Sequence, residues 1–307
     1  MAVDFTTAAL DSQGRRLPIP VERGTADHDN RVTGSGGRCD QGDALLPCRQ
    51  RGSVEDGIWS PGRDNTDSRW RLYDKSLEAD TSPRIAHLAR LYDLTIVRGR
   101  IVRIDQKPVA GVEVSIGNSV ALTDDDGRFN LFDVSPGHQE LYVDGSSANR
   151  GADEYGQFVV GVEVKAKQLN ELPYLMHLPK VAPRDKIRIA SPLQKDLLVG
   201  HPDIPGLELH IPKGTVIHDR KGRLVTELAI VPTPVNRAPF PVMENHPMAF
   251  TVEPGAAQIR GLSPTAHNGI RVYYPNYDGY GAGTEANFWI YDPTEGWRVY
   301  GKGTVSA

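Results

Sequence analysis

The stretch between Leu94 and Val143 constrains the fold of this chain more than any other. It reads LTIVRGRIVRIDQKPVAGVEVSIGNSVALTDDDGRFNLFDVSPGHQELYV, in which short β-forming runs are separated by clusters of turn residues. Turn clusters that recur about every 8 to 12 residues are typical of a small antiparallel sandwich. The stretch contains no cluster of reactive side chains, so it predicts a β accessory domain and not a catalytic domain.

Alternating apolar residues predict which faces of these strands are buried. Strands are expected over 94–104 and 172–178, with a tight turn at 123–127. The residues expected to face the core are Val112, Val114, Ile116, Phe129, Leu131, Phe158, Val160, Val162 and Val164. Together these patterns predict a sandwich of about seven strands over residues 93–182, which is enough to close a two-layer core.

A second β-rich domain is predicted over residues 183–307, with a less regular pattern. Proline is frequent there, and because proline has no N–H to donate, many strands should be edge strands or contain bulges. Phe288–Tyr291 and Trp297–Tyr300 flank Asp292–Gly296, which predicts a hairpin with a five-residue loop. The whole chain is therefore expected to be all-β.

Residues 1–92 are predicted to be mostly a disordered leader and linker. The segment GTADHDNRVTGSGGRCDQGD is rich in glycine, aspartate and arginine, and it has too few apolar residues to offset the entropy lost on ordering. Nearer the sandwich, Pro83 could begin a short helix that carries Ile85, Leu88 and Leu91 on one face.

Composition argues against several partners and leaves the compartment open. The net charge is -4, whereas duplex-binding proteins usually concentrate basic residues on one face. No apolar run approaches the roughly 20 residues needed to cross a bilayer, and the first residues, MAVDFTTAALDSQGRR, lack the pattern of a signal peptide. We therefore expect neither nucleic acid as a partner nor a membrane span. The two cysteines, Cys39 and Cys48, allow at most one local disulfide, and whether they pair stays open.

The sequence offers no candidate catalytic, cofactor or metal residues. Its nine histidines include no HExxH motif or other short spacing that would predict a zinc site. Asp124, Asp125 and Asp126 are consecutive, whereas an EF-hand loop needs acids at alternate positions, so a turn is favoured over a weak calcium contact. There is no G-x-S-x-G motif, and the glycine-rich segment 279–283 lacks the strand and helix of a dinucleotide site. We predict a protein that is not an enzyme and needs no cofactor.

Aromatic residues crowd into the last part of the chain and are the candidate interface residues. The set is Tyr273, Tyr274, Phe288, Trp289, Tyr291, Trp297 and Tyr300. Such residues dominate both cores and interfaces, so three alternatives stay open: a hairpin core, a protein interface, or a platform on which sugars stack. Because strand residues alternate, Trp289 and Tyr291 should face one side, and Phe288 and Ile290 the other. A hairpin that is apolar on both faces needs covering on both, which favours the interface.

The predicted sandwich resembles carboxypeptidase regulatory-like domains, which have a transthyretin-like fold. The resemblance is carried by GRIV at 99–102, PVAGVEVSI at 108–116, TDDDGRFNL at 123–131 and SPGHQELYV at 135–143, in the order and spacing of that family. It covers less than a third of the chain. Members are non-catalytic modules appended to enzymes, receptors and secreted proteins, which implies a spacer or adaptor here.

The last part of the chain resembles the region that precedes the repeats in large RHS/YD-repeat proteins. The segments are LELHIPKGTVI at 207–217, RVYYPN at 271–276 and ANFWIYDPTEGWRVYGKGTVSA at 286–307. A transthyretin-like domain followed by a β plug also precedes the shell in teneurin-like proteins. Members include bacterial polymorphic toxins and surface proteins, in which a YD-repeat shell encloses a C-terminal effector.

This second resemblance implies a secreted or cell-surface bacterial protein, with a YD-repeat shell as its partner. The chain itself contains no YD repeats and no toxin domain, so we expect it to be the front of a longer protein or the product of a truncated gene. The alternative is a free-standing module that binds a glycan or a surface through the loop at 145–156 and its exposed aromatic residues.

Overall fold

The computed structural model describes residues 5–7, 53–61, 82–240, 248–260, 270–276 and 279–306. Within these ranges strands far outnumber helices, which confirms the all-β prediction. No helix in the described ranges is long and apolar enough to span a membrane. Cys39, Cys48 and most of the leader predicted to be disordered lie outside the described residues.

The described parts of residues 1–92 contribute regular structure, whereas the sequence predicted mostly disorder and linker. β1 (Phe5–Thr7) joins a large sheet of the second region, and β2 (Ser53–Glu55) forms a hairpin with β3 (Ile58–Ser60). Trp59 is 2% exposed and packs into the core of the second region. One large apolar side chain can anchor a short segment whose composition is otherwise polar, and composition alone does not reveal it.

The helix α1 (Pro83–Leu91) confirms the predicted element but not its predicted buried face. Ala89 is fully buried, whereas Leu88 and Leu91 are 39% and 59% exposed. A small residue lets a helix approach its neighbours closely. The helix therefore turns Ala89 inward and leaves two larger apolar side chains in solvent.

Residues 93–182 form a two-sheet β-sandwich of eight strands. These are β4 (Ile96–Arg103), β5 (Glu113–Ile116), β6 (Ser119–Leu122), β7 (Arg128–Phe132), β8 (Gly137–Asp144), β9 (Gln157–Val164), β10 (Leu169–Glu171) and β11 (Met176–Leu178). One sheet has β4 at its centre, with β7 antiparallel on one side and β10 and β11 parallel on the other. The other sheet is antiparallel in the order β6-β5-β8-β9.

The core of the sandwich confirms the predicted alternation. Every residue expected to face inward is at most 8% exposed. β6 departs from the pattern because its apolar side chains point outward: Val120 and Leu122 are 59% and 62% exposed. A strand whose inward positions hold small or polar residues lacks the usual alternation of buried apolar and exposed polar residues. This explains why the sequence predicted about seven strands and not eight.

The acidic turn at 123–127 is shaped by its own side chain and backbone. Asp124 Oδ1 accepts the N–H of Arg128 at 2.7 Å. Gly127 has a φ of +75°, and a Cβ at this position would lie 2.2 Å from the carbonyl oxygen of Ile101. The described residues contain no group of three potential metal ligands. The Asp124 carboxylate is therefore occupied in forming the turn that the sequence favoured.

The second region, from residue 183 onward, contains ten irregular strands among its described residues. These are β12 (Lys186–Arg188), β13 (Leu197–His201), β14 (Ile204–Ile211), β15 (Val216–His218), β16 (Glu227–Thr233), β17 (Met248–Glu253), β18 (Gln258–Arg260), β19 (Arg271–Tyr273), β20 (Glu285–Asp292) and β21 (Gly296–Thr304). The largest sheet has the order β12-β16-β17-β1-β20-β21, and β13-β14-β19 and β15-β18 form two smaller sheets. Trp59, Phe250 and many aliphatic side chains form a common core for these sheets.

Candidate functional site

A hairpin of β20 and β21 carries most of the aromatic residues that the sequence singled out. Asp292 pairs with Gly296, so the connection holds three residues and not the predicted five. Asp292 Oδ1 accepts the N–H of Thr294 at 2.8 Å and that of Glu295 at 3.1 Å, and Gly296 has a φ of +75°. The turn is tight because an aspartate side chain binds its backbone and glycine accepts the left-handed conformation.

One face of the hairpin packs against the sandwich through an inner aromatic cluster of Phe240, Tyr291 and Trp297. Tyr291 is 6% exposed, and its ring stacks on Phe240 with centroids 4.9 Å apart and an interplanar angle of 7°. Trp297 meets both rings edge-on, at 5.6 Å from Tyr291 and 5.9 Å from Phe240. The Tyr291 hydroxyl accepts the N–H of Gly161, on the sandwich edge strand β9, at 3.0 Å. The cluster therefore joins the hairpin to the core of the sandwich.

The opposite face packs against the second region through an outer aromatic cluster of Phe250, Tyr274 and Phe288. Phe288 stacks on Tyr274 with centroids 4.7 Å apart, and Tyr274 lies 5.9 Å from Phe250. Gly303 of β21 lies beneath Phe288, since a Cβ there would be 2.2 Å from the Phe288 ring. Phe288 and Tyr291 thus face opposite sides of the hairpin, as strand alternation predicted.

The seven aromatic residues do not form one surface but divide into the two clusters and an exposed remainder. Tyr273 is 49% exposed, whereas Tyr300, although 39% exposed, borders the outer cluster with its ring centroid 6.4 Å from that of Phe288. Trp289 is half-buried, and its indole N–H has no hydrogen-bond partner among the described residues. The chain itself covers both faces of the hairpin, so a sugar that stacked on Trp297 would have to displace the contacts of the inner cluster.

Phe240 is the member of the inner cluster that the sequence analysis missed. It lies in the segment APFPV, where flanking prolines remove both the alternation and the donors of a regular strand. The sequence shows only a large aromatic residue in a proline-rich segment, and this does not indicate which residues the ring contacts.

β21 is an edge strand of the six-stranded sheet. In the part of the chain that the structure describes, it pairs with β20 alone. Phe288 pairs with Gly301 and Trp289 with Val299, which leaves Tyr300 as an extra residue in a bulge. Val299 and Tyr300 are each 39% exposed. Within the described ranges this nine-residue strand therefore has one unpaired edge, and Val299 is partly exposed beside it.

The tip of the hairpin rests on β8 and β9 of the sandwich. His138 Nε2 lies 2.7 Å from the Pro293 carbonyl oxygen, and His138 Nδ1 lies 2.6 Å from Glu163 Oε1. The hydrogen bond to Glu163, followed by the one to the Pro293 carbonyl, raises the pKa of His138. A Cβ at Gly161 would lie 2.2 Å from the Pro293 carbonyl oxygen, so the turn fits closely onto β9.

A buried carboxyl group closes the junction between the sandwich and the second region. Glu253, at the end of β17, is 6% exposed, and its Oε2 accepts the N–H of Gln157 at 3.1 Å and that of Gly255 at 2.8 Å. Its Oε1 accepts the hydroxyl of Thr251 at 3.2 Å. Burial raises the pKa of Glu253 to about 7 in spite of these donors. Because Gln157 begins the edge strand β9, Glu253 satisfies a main-chain donor on that edge.

A buried histidine–aspartate contact occurs between β13 and the start of the second region. His201 Nε2 lies 3.2 Å from Asp185 Oδ1, and both side chains are 2% exposed. The N–H of Asp203 donates to His201 Nδ1 at 3.1 Å. Such a pair can position a general base only where a substrate can reach it. Because both side chains are shut off from solvent, we assign the pair a structural role.

Comparison with known proteins gives little further information. No protein-family model matches the sequence, and no curated protein matches it. Among solved structures, the chain is similar to one described as "Structure of the Streptococcal ancillary pilin", with 11% sequence identity and a TM-score of 0.24. The match covers 70% of this chain and 60% of that one. A likeness this low does not bear on the function of the chain.

Proposed function

We propose that this chain is a non-catalytic structural and interaction module that offers β21 as a docking strand to a partner protein. The observation that carries the proposal is the edge of β21, which is nine residues long and unpaired among the described residues, with Val299 39% exposed beside it. Long uncovered edge strands recruit further strands through main-chain hydrogen bonds, and exposed apolar side chains add contact area.

The hairpin is held rigidly enough to serve as a docking element. Its inner cluster is anchored to the sandwich by the Tyr291–Gly161 hydrogen bond, and Phe288 of its outer cluster is stacked on Tyr274. A strand already ordered by packing on both faces loses little conformational entropy when a partner binds, so more of the contact energy is available for affinity.

The partner that we propose is a strand of a YD-repeat shell. Residues 297–305, WRVYGKGTV, resemble the segment that lies just before the shell in RHS/YD-repeat proteins, and they include most of β21. In this proposal the transthyretin-like sandwich is an adaptor and the second region is a collar at the mouth of the shell. The protein would act at the bacterial surface or after secretion, and it would make and break no covalent bonds.

Binding to a purified YD-repeat shell from a polymorphic toxin, measured by isothermal titration calorimetry, tests the proposal. Val299→Lys places a charge on the docking strand and should weaken binding by about tenfold or more. Leu198→Lys is the control, because Leu198 is 56% exposed but lies on β13 in a different sheet. The proposal fails if the wild-type chain does not bind, or if Leu198→Lys weakens binding as much as Val299→Lys.

A further inference from the structure

β6 is an edge strand of the sandwich, and among the described residues it pairs with β5 alone. The opposite edge of the same sheet, β9, is covered by the hairpin tip and by Glu253, whose carboxyl group accepts the N–H of Gln157. Natural edge strands are usually protected from pairing by a charged residue, a proline or a bulge. The sequence of β6, SVAL, contains no charged residue and no proline, and its register with β5 is regular. Within the described chain, the outer edge of β6 is therefore open to another strand.

The main-chain groups of Val120 and Leu122 point toward this open edge. Just beyond β6, the N–H of Thr123 donates to the Val112 carbonyl oxygen at 3.0 Å. Main-chain groups alternate between the two sides of a strand, so those of Thr123 and Ala121 point toward β5. Those of Val120 and Leu122 point away from β5, and the edge thus offers two N–H groups and two carbonyl groups.

The side chains of the same two residues form an exposed apolar patch. Val120 and Leu122 are 59% and 62% exposed. They share the outer face of the sheet, because Ala121 between them packs against the sandwich core. Phe132, which is 49% exposed, lies beside the start of β6, since Ser119 Oγ donates to the Phe132 carbonyl oxygen at 2.7 Å. An unprotected edge and an apolar patch therefore coincide, as expected of a strand that pairs with another chain.

β6 is complementary to a second copy of itself. An antiparallel pair of identical strands has a two-fold axis, and the axis must pass through a residue, because otherwise an outward main-chain group would face an inward one. With Ala121 on the axis, Val120 lies opposite Leu122 of the second copy. Their outward main-chain groups can then bond to each other, and their apolar side chains meet on one face. In this register Asp124 lies opposite Asn118, so no like charges meet.

The neighbouring registers match less well. With Val120 on the axis, Leu122 would lie opposite Asn118. With Leu122 on the axis, Val120 would lie opposite Asp124. Either register sets an apolar side chain against a polar one, so the apolar pattern of β6 selects the axis through Ala121.

We propose that the outer edge of β6 is a self-association site, through which two copies of this chain form a two-fold symmetric dimer. Their four-stranded sheets then join into one continuous sheet. The interface contains one short strand from each copy and is below the standard size, so the dimer should be weak, with a Kd on the order of 10–100 µM. The site is independent of the docking strand β21, so either proposal can fail without the other.

Sedimentation velocity of the full chain tests whether the dimer forms. The sedimentation coefficient should rise from that of a monomer to that of a dimer between about 1 µM and about 500 µM. Leu122→Lys puts a charge on the open edge and should weaken dimerisation by about tenfold or more. Val299→Lys, on the edge of β21, is the matched control and should dimerise as the wild type does. Both positions are exposed, so the fold should be retained, and far-UV circular dichroism checks this.

Disulfide trapping tests the register. Val120 and Leu122 of the second copy should form a hydrogen-bonded pair with Cα atoms about 5.5 Å apart, a separation that a disulfide can bridge. A chain with Val120→Cys, mixed with a chain with Leu122→Cys under mild oxidation, should therefore give a linked dimer. Val120→Cys alone should cross-link much more slowly, because the two copies of this position lie diagonally, about 7–8 Å apart. Both chains carry Cys39→Ser and Cys48→Ser, so that only the introduced thiols react.

Four results would overturn the proposal. The wild-type chain stays monomeric over the whole concentration range, or Leu122→Lys dimerises as strongly as the wild type. Alternatively, Val299→Lys weakens dimerisation as much as Leu122→Lys, or Val120→Cys alone cross-links as fast as the mixture of the two chains.

Discussion

Glu253 and His177 are buried groups whose pKa values move in opposite directions. Burial raises the pKa of Glu253 to about 7 and lowers that of His177 to about 4. Between its ordinary pKa of 4.5 and about 7, Glu253 holds a proton in the folded chain that the unfolded chain has released. His177 does the reverse between about 4 and its ordinary 6.5. Stability gained from one group as pH rises is therefore offset by the other over much of this range.

Glu253→Gln should isolate the contribution of the carboxyl group. Glutamine can accept both N–H groups and donate to Thr251, so the hydrogen bonds are kept while the side chain at 253 no longer titrates. The wild type should lose free energy of unfolding relative to this variant as pH rises from about 4.5 through 7. Urea unfolding of both proteins at several pH values measures this difference, and the contribution of His177 cancels because it is common to both. If the difference in free energy of unfolding between the two proteins does not vary with pH, the raised pKa of Glu253 is wrong.

Burial at the junction could not be predicted at the level of single residues. Inward positions of the sandwich followed from strand alternation, which is a local property. The environment of Glu253 depends on Gly156, where a Cβ would lie 2.3 Å from its Oε1, and on Gly255, where one would lie 1.8 Å from the Gln157 carbonyl oxygen. These close approaches bring together segments about a hundred residues apart in the sequence. Residue periodicity describes only local structure, so it could not predict them.

At the scale of elements, the β20–β21 hairpin is the best test of how far pattern reasoning extends. Its existence, the position of its turn and the opposite directions of Phe288 and Tyr291 followed from alternation and turn residues, although the loop is two residues shorter than predicted. What covers each face did not, because Phe240 reaches the inner face from an irregular proline-rich segment. The sequence analysis expected a partner protein to cover the hairpin, whereas the chain itself makes several of those contacts.

Two glycines of β21 provide a matched pair of variants for the hairpin. A Cβ at Gly303 would lie 2.2 Å from the Phe288 ring, whereas a Cβ at Gly301 would meet nothing within 4 Å. Gly303→Ala should therefore lower the free energy of unfolding by about 1–3 kcal/mol through displacement of Phe288. Gly301→Ala should leave stability nearly unchanged or raise it slightly, since alanine reduces the entropy of the unfolded chain. Chemical denaturation compares them, and equal losses would contradict the packing of Phe288 on Gly303.

At the scale of the whole molecule, the sandwich and the second region interlock rather than merely adjoin. Lys221 Nζ lies 3.0 Å from Asp144 Oδ2, and the Arg220 guanidinium lies 4.6 Å from the centre of the Tyr142 ring. The hairpin tip and Glu253 cover the edge strand β9, which protects the sandwich from strand pairing on that side. We therefore expect the two regions to unfold as one cooperative unit.

Gly161→Ala should make the sandwich and the second region unfold separately. The added Cβ would collide with the Pro293 carbonyl oxygen, so the hairpin tip should move away and the Tyr291 hydroxyl should lose its donor. Intrinsic tryptophan fluorescence and far-UV circular dichroism should then report two unfolding midpoints in urea, whereas the wild type should show one. Gly281→Ala is the control, because a Cβ there meets nothing within 4 Å. A single coincident transition in Gly161→Ala would contradict the interlocked arrangement.

Hydrogen exchange along β21 tests the central claim, that this strand docks a partner, most directly. The measurement compares the chain alone with the native polypeptide isolated from producing cells by an antibody against the sandwich. The account predicts that the edge amides of 296–304 exchange about a hundredfold more slowly in the native material, because a partner strand binds them. Amides of the sandwich core should not change. Equal exchange of β21 in both samples would show that the edge has no partner and would contradict the account.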